Sequence, residues 1–260
     1  MLMNEDYLDG DGLLRCGICG KRKQARLNIM GQEHVVGCMC DCGVKEREEI
    51  EQRILREENE RKLKSRRRIG LQEERFLEWR FENDNGSNSK LDIARKYVLE
   101  WDKMKKDNIG LLLMGPPGTG KSFMAGCIAN ELIDNGVSVM MTNFSKILNE
   151  LTNYHADKNA IIRNLVSFPL LIIDDLGIER YSEFSLEQIY NVIDSRYCSK
   201  KPLIVTTNLS MPQMKDVNQD MAKQRIYSRI FEMCVTVYLG GTDLRRDEGN
   251  EKLKLLKELN

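Results

Sequence analysis

From Ile109 onward the apolar and polar positions fall into a repeating order. Runs of strand length occur at Ile109 to Met114, Val137 to Met141, Leu170 to Ile173, Leu203 to Val205 and Val235 to Leu239. Stretches with helical spacing, Ser122 to Leu132, Leu186 to Tyr197 and Met221 to Met233, lie between them. A short, continuous apolar run suits a strand covered on both faces, and strands alternating with helices are the arrangement of βαβ units around a parallel sheet. Asn135-Gly136, Phe168-Pro169 and Lys201-Pro202 separate the segments as chain breakers. An amphipathic helix is expected from Leu91 to Met104, ahead of the first strand. The pattern predicts an α/β fold.

Upstream the pattern changes. Between Val44 and Arg68 only Ile50, Ile54, Leu55 and Leu63 interrupt the charged and polar residues, and Glu49/Arg53, Glu57/Arg61, Glu58/Lys62 and Glu60/Lys64 stand four apart in the order that supports a helix. With so little apolar face, a solvated connecting helix is expected. Its end, Lys64-Ser65-Arg66-Arg67-Arg68, is the most basic short run and suits either a linker end or phosphate contact. The organisation expected is a module over 1–44, a linker helix over 45–68, a main domain over 69–250 and a tail over 251–260.

At 260 residues and 41% hydrophobic, the chain can build one sizeable core and a small satellite module, which excludes a disordered or fibrous protein. The 40 Lys and Arg balance the 40 Asp and Glu, which argues against a uniformly basic nucleic-acid coat but leaves room for local patches. No stretch approaches the roughly 18 apolar residues of a membrane span, and Met1 to Asp11 is acidic without a signal-peptide layout. A cytoplasmic protein without membrane association is expected.

Eight cysteines are unevenly placed: Cys16, Cys19, Cys38, Cys40 and Cys42 crowd the start, while Cys127, Cys198 and Cys234 stand alone and are expected as buried small hydrophobes. In a reducing compartment, thiolates at this spacing converge on one tetrahedral ion. The expected structural Zn²⁺ ligands are Cys16, Cys19, Cys38 and Cys40, with Cys42 able to replace Cys38 and His34 a weaker substitute. Such a closed site folds a module too small for its own core and does no metal catalysis.

Gly115-Pro116-Pro117-Gly118-Thr119-Gly120-Lys121-Ser122 fills the G-x-x-x-x-G-K-[ST] template between a predicted strand and a predicted helix. Its backbone N–H groups and the helix's positive end suit ATP phosphates; Lys121 adds a charge near the β and γ groups, and Ser122 supplies a hydroxyl for Mg²⁺. Leu170 to Asp175 reads as a buried strand ending in two carboxylates at the ligand-binding edge of the sheet. Asp174 is expected to hold Mg²⁺ through water and Asp175 to polarise the attacking water. Thr206-Thr207-Asn208 ends another strand at that edge, where an amide can orient water or a polar strand end can simply be solvated. Arg225 and Arg229 share one helical face, either as surface charges or to reach a neighbour's γ-phosphate.

GPPGTGKS, LLIIDDLG, TTN, RIYSRIFEMC and GGTDLRR, in this order over Ile69 to Asp247, resemble the AAA+ ATPases of the DnaC/DnaI-type replicative-helicase loaders and their IstB-type transposition relatives. The resemblance implies a three-layer P-loop fold with a five-stranded parallel sheet, in which an additional strand lies between the phosphate-loop strand and the Asp174 strand. It implies that Asn208 is sensor 1, Arg229 a trans-acting arginine finger with Arg225 beside it, and Arg245 sensor 2. A finger works only across a subunit boundary, so self-assembly as an open spiral is implied. The chain departs from many AAA+ proteins in ending its second motif with Asp-Asp, which suggests slow, switch-like hydrolysis. After Asn208 only about 50 residues follow, too few for a large helical lid.

A Cys-rich segment ahead of such a core resembles the helicase-docking domain of phage and Gram-positive-type loaders. The partners then implied are a DnaB-type replicative helicase, single-stranded DNA and further copies of this chain. Lys146, Tyr154, Tyr181 and Phe184 lie where loaders place DNA contacts, although such aromatics serve equally well in a core. Competing readings are a transposition helper ATPase on duplex DNA and a non-enzymatic zinc-dependent adaptor.

Overall fold

A computed structural model describes residues 5–84, 86, 90–153, 156–177, 182–216, 218, 220–241 and 243. The chain divides into two compact units, residues 1–62 and 63–260.

The first unit is built from short antiparallel pieces. β1 (Tyr7–Leu8) pairs with β2 (Leu14–Arg15), and β3 (Gln24–Ile29) pairs with β4 (Gln32–Gly37) through a turn in which Met30 and Gly31 both take positive φ. Asp9 organises the β1–β2 connection, its carboxylate accepting from the N–H groups of Asp11 and Leu13 and from Arg15. Those bonds hold its carboxyl below the usual carboxylate range, the Leu13 N–H contributing most. Among the described residues of this unit, Leu13, Cys16 and Cys40 are the buried apolar side chains. So small a core needs another source of stability.

α1 spans Asp41–Gly70, longer at both ends than the expected 45–68. Of the four charge pairs read from the sequence, only Glu58–Lys62 reaches contact distance, at 3.9 Å, while Arg47–Glu51 pairs at 2.9 Å. Exposed pairs of this kind contribute only a few tenths of a kcal/mol each, roughly 0.3–0.5.

In the second unit, α2 (Glu74–Leu77), a 3₁₀ turn at Phe81–Asn83, α3 (Leu91–Leu99) and α4 (Trp101–Lys106) precede the sheet. The single helix expected over Leu91 to Met104 is broken at Glu100, whose φ and ψ of −96° and 21° interrupt it. β5 (Gly110–Met114), α5 (Lys121–Asp134), β6 (Val139–Asn143), α6 (Phe144–Thr152), α7 (Lys158–Ser167), β7 (Leu170–Leu176), α8 (Glu183–Cys198), β8 (Leu203–Thr207), α9 (Met211–Met214), α10 (Met221–Met233) and β9 (Cys234–Tyr238) follow. The five strands are parallel in the order β6-β7-β8-β5-β9, with β8 between the phosphate-loop strand and the Asp174 strand.

β5, β6, β7 and β8 are buried on both faces with a period of two, whereas β9 at the edge exposes Val235, Thr236 and Tyr238. Leu111 and Leu113 of β5, Leu170 and Ile172 of β7 and Ile204 of β8 pack with α3, α5 and the Phe76–Phe81 segment. Leu112, Met114, Leu171, Ile173, Leu203 and Val205 pack on the other face with α6, α7, α8 and α10. β6 begins at Val139 rather than Val137, because Gly136 at φ 83° closes α5 and the Val137 N–H is spent on the Leu132 carbonyl. α5 lies close under the Phe76–Phe81 segment. A Cβ at Gly126 would stand 2.5 Å from Trp79 Cε3, and the Asn130 amide donates to the carbonyls of Phe76 and Trp79 at 2.7 and 3.0 Å. Of the three isolated cysteines, Cys127 and Cys234 are buried as expected, whereas Cys198 is exposed, because it ends α8 on the surface. No described helix is long and apolar enough to cross a membrane.

Candidate functional site

The register brings the sequence-predicted residues to one edge. Met114, the last residue of β5, pairs with Thr207, which also pairs with Leu176 at the end of β7. The loop 115–120, the Asp174-Asp175 pair and Asn208 therefore all lie at the carboxyl end of the sheet, where open α/β proteins bind ligands.

The loop is glycine-dependent where the backbone turns left-handed: Gly118 has φ 77° and Gly120 has φ 83°. Gly120 is also the N-cap of α5 and offers no side chain to its first-turn N–H groups, which leaves them to an anion. Any side chain at Gly118 would collide with Asp243, whose Oδ1 lies 1.7 Å from an ideal Cβ there. Lys121 is 5% exposed and donates from Nζ to the carbonyls of Gly115 (2.9 Å) and Pro116 (2.6 Å), so the lysine is drawn across its own loop. Thr119 Oγ1 donates to the same Pro116 carbonyl at 2.9 Å. Pro116 and Pro117 are exposed on the rim, and Ser122 is half-buried in the first turn of α5.

At the end of β7 one hydroxyl fixes both carboxylate residues. Thr206 Oγ1 donates to Asp174 Oδ1 at 2.6 Å and accepts from the Asp175 N–H at 2.9 Å. Asp174 is 3% exposed. Asp175 adopts φ 56° where the β7–β8 register shifts, a left-handed turn that Asp tolerates better than most residues and that re-aims its side chain. Thr207 Oγ1 donates to the Leu176 carbonyl and accepts from the Leu209 N–H, leaving Asn208 exposed at the strand end.

The arginines of α10 are differently placed. Arg225 is exposed, with no ion-pair partner among the described residues. Arg229 forms an ion pair with Asp194 of α8, and its guanidinium lies over the rings of Tyr190 (4.7 Å) and Tyr197 (5.4 Å). Its contacts are thus with α8. Lys146 pairs with Glu73 at 2.8 Å, and Phe184 lies 4.9 Å beneath the Lys158 ammonium. Arg245, Tyr154 and Tyr181 lie outside the described residues.

In the first unit, the Sγ atoms of Cys16, Cys19, Cys40 and Cys42 all lie within 4.8 Å of one another. Cys42 thus takes the place expected for Cys38. The reason is local: Cys38 continues the exposed edge of the β3–β4 hairpin, bonding the Lys23 carbonyl through its N–H and the Arg22 carbonyl through Sγ (3.4 Å), whereas α1 begins at Asp41 and its first turn carries Cys42 into the cluster. His34 is exposed on β4 and is not in the cluster. Cys16 to Lys21 form a tight turn, with Gly20 N–H bonded to the Cys16 carbonyl and Cys16 N–H to that of Lys21. The hydrogen bond from the Lys21 N–H lowers the Cys19 thiol to about 7, while sharing a hydrogen bond with Cys19 pushes Cys42 up to about 11. Four thiols so close cannot all ionise without a cation, and the set fits tetrahedral Zn²⁺, whose sulfur ligands stand about 3.8 Å apart.

Sequence reasoning did not single out Asp194, Tyr190, Tyr197 or Asp243, nor the hydroxyl bonds of Thr206. Thr206 left a signal as a hydroxyl residue at the end of an otherwise apolar strand, and Asp243 left one by lying within GGTDLRR.

The chain matches the family described as "IstB-like ATP binding protein" over residues 24–252. It is 32% identical over 144 residues to the replicative helicase loader DnaC of Escherichia coli (strain K12), covering 54% of this chain and 57% of that protein. It is 30% identical over 152 residues to the phage-like element PBSX protein XkdC of Bacillus subtilis (strain 168), covering 55% and 54%. The chain thus spans a little over half the length of these curated relatives. In fold it is similar to the crystal structures of DnaI (TM-score 0.55, 22% identity, 66% of this chain and 93% of that one) and of the DnaC helicase loader (TM-score 0.55, 23% identity, 64% and 99%).

Proposed function

Because this chain belongs to the family of IstB-like ATP-binding proteins, we propose that it is an ATP-hydrolysing loader that delivers a hexameric DnaB-type replicative helicase to single-stranded DNA. The observation that carries the reading is the single sheet edge holding the glycine loop, the Thr206-locked Asp174 and Asp175. The similarity to proteins named as replicative helicase loaders supports the choice of partner. The cysteine cluster ahead of the core favours a loader over a transposition helper.

In this reading the N–H groups of loop 115–120 and the first turn of α5 receive the phosphates of ATP, and the Lys121 ammonium exchanges its loop carbonyls for phosphate oxygens. Ser122 and Asp174 would hold Mg²⁺, which would supply charge neutralisation for phosphoryl transfer. Asp175 takes the proton of the attacking water and Asn208 orients that water. Arg229 completes the site of an adjacent copy, and Arg245 is assigned to sense the bound nucleotide in its own chain. Cys16, Cys19, Cys40 and Cys42 would hold structural Zn²⁺ in the helicase-docking module. Turnover is slow because Asp175 is one methylene shorter than glutamate.

The test is a pull-down of the full chain against the host replicative helicase with ATP and with ADP, alongside ATPase assays with single-stranded DNA. Nucleotide-dependent helicase retention and DNA-stimulated turnover are expected, and Lys121→Ala should lose nucleotide binding and both effects. Assembly on duplex DNA with no helicase retained would overturn the loader assignment in favour of the transposition reading.

A further inference from the structure

Two arginines share one face of α10, one turn apart, and the structure treats them oppositely. Arg225 stands exposed beside a surface hollow of about 430 Å³. Arg229, on the wall of the same hollow, is only 26% exposed in its side chain and is held from three directions by α8. Asp194 pairs with it, and Tyr190 and Tyr197 both present ring faces to its guanidinium. Tyr197 is itself fixed, its hydroxyl donating to Glu232 Oε1 of α10 at 2.7 Å. A partly shielded ion pair with aromatic faces beside it is screened by salt far less than an open surface pair.

We propose that Asp194, Tyr190 and Tyr197 form an internal brake on Arg229. This rests on the reading that Arg229 serves the nucleotide of an adjacent copy. In the lone chain the Asp194 carboxylate neutralises the guanidinium, and being tethered nearby it acts at a high effective concentration. A neighbour's γ-phosphate carries more negative charge than a carboxylate and can approach through the hollow, but it must displace Asp194 to gain the arginine. The arginine is thereby kept from acting during chance encounters and is released only when an ATP-bound neighbour is held in place. Asp194, Tyr190 and Tyr197 are positioning residues in this scheme and touch no nucleotide.

The experiment measures ATP turnover per chain against protein concentration for the full-length protein. Asp194→Asn is expected to lower the concentration giving half-maximal turnover by about threefold or more, the scale set by losing one ion pair of this kind, with nucleotide affinity at low protein concentration unchanged. Asp194→Glu, which keeps the charge, should restore the wild-type midpoint. Tyr190→Leu should shift it in the same direction as Asp194→Asn, and it decides the matter if that variant does not fold. Arg229→Ala separates the two levels of inference. If turnover still rises with concentration in Arg229→Ala as in the wild type, the trans role itself fails. If that rise is lost in Arg229→Ala but the relieved variants need as much protein as the wild type or more, the trans role stands and the brake is refuted.

Discussion

Thr206 gives one hydroxyl two partners, donating to the Asp174 carboxylate and accepting from the Asp175 N–H. Thr206→Val keeps the shape and removes both bonds, leaving buried polar groups unpaired at a cost of about 1–3 kcal/mol. Chemical denaturation should show that loss, and ATP turnover should fall together with it because Asp174 and Asp175 lose their shared anchor; Thr206→Ser should recover both. Asp175→Asn is expected to differ, retaining nucleotide binding and stability while abolishing turnover, which an equilibrium binding assay paired with phosphate release would reveal. Lys121 and Asp174 were legible in the sequence because a phosphate loop and a strand-end carboxylate depend on neighbours close in the chain. Asp194 was not, since its partner Arg229 comes from another helix. The choice between Cys38 and Cys42 was equally hidden: both fit the spacing, and only the end of β4 and the start of α1 decide which thiol turns inward.

Elements were read most reliably where burial is symmetrical. The apolar runs of β5, β7 and β8 are covered on both faces, so their pattern needed no guess about which side meets water. Boundaries moved where a turn claimed residues, as Gly136 did by closing α5 with the Val137 N–H. A contact no pattern could reveal ties the entrances of two strands together. Arg196 of α8 is fully buried and donates to the carbonyls of Val166, Phe168, Pro169 and Pro202, just ahead of β7 and β8. With no carboxylate against it among the described residues, burial pulls its guanidinium down to about 9. Arg196→Leu leaves those carbonyls without donors and, at roughly 1 kcal/mol or more for each, should remove several kcal/mol of stability. A thermal melt well below that of the wild type is the expected result, and an unchanged melt would show that water replaces the clamp.

For the whole chain, the division into two units predicts separable behaviour. Metal analysis of purified protein should return one zinc per chain, and a strong chelator should remove it and unfold the Cys-rich module while ATP binding by residues 63–260 persists; loss of nucleotide binding together with the metal would contradict that independence. The strand order carries a further consequence, for synthesis rather than for catalysis. β5 opens the sheet in sequence but lies between β8 and β9, its last two strands. During translation the glycine loop therefore emerges early and waits, its supporting strand unpaired, until nearly the whole sheet has left the ribosome. A chain stalled or truncated before Cys234 would carry every residue of the glycine loop and pair its strand with β8 on one side, but lack β9 on the other. The strand that carries the glycine loop thus gains both of its neighbours only with the end of the fold, so a copy cut short before Cys234 is expected to hold that loop on an incomplete sheet.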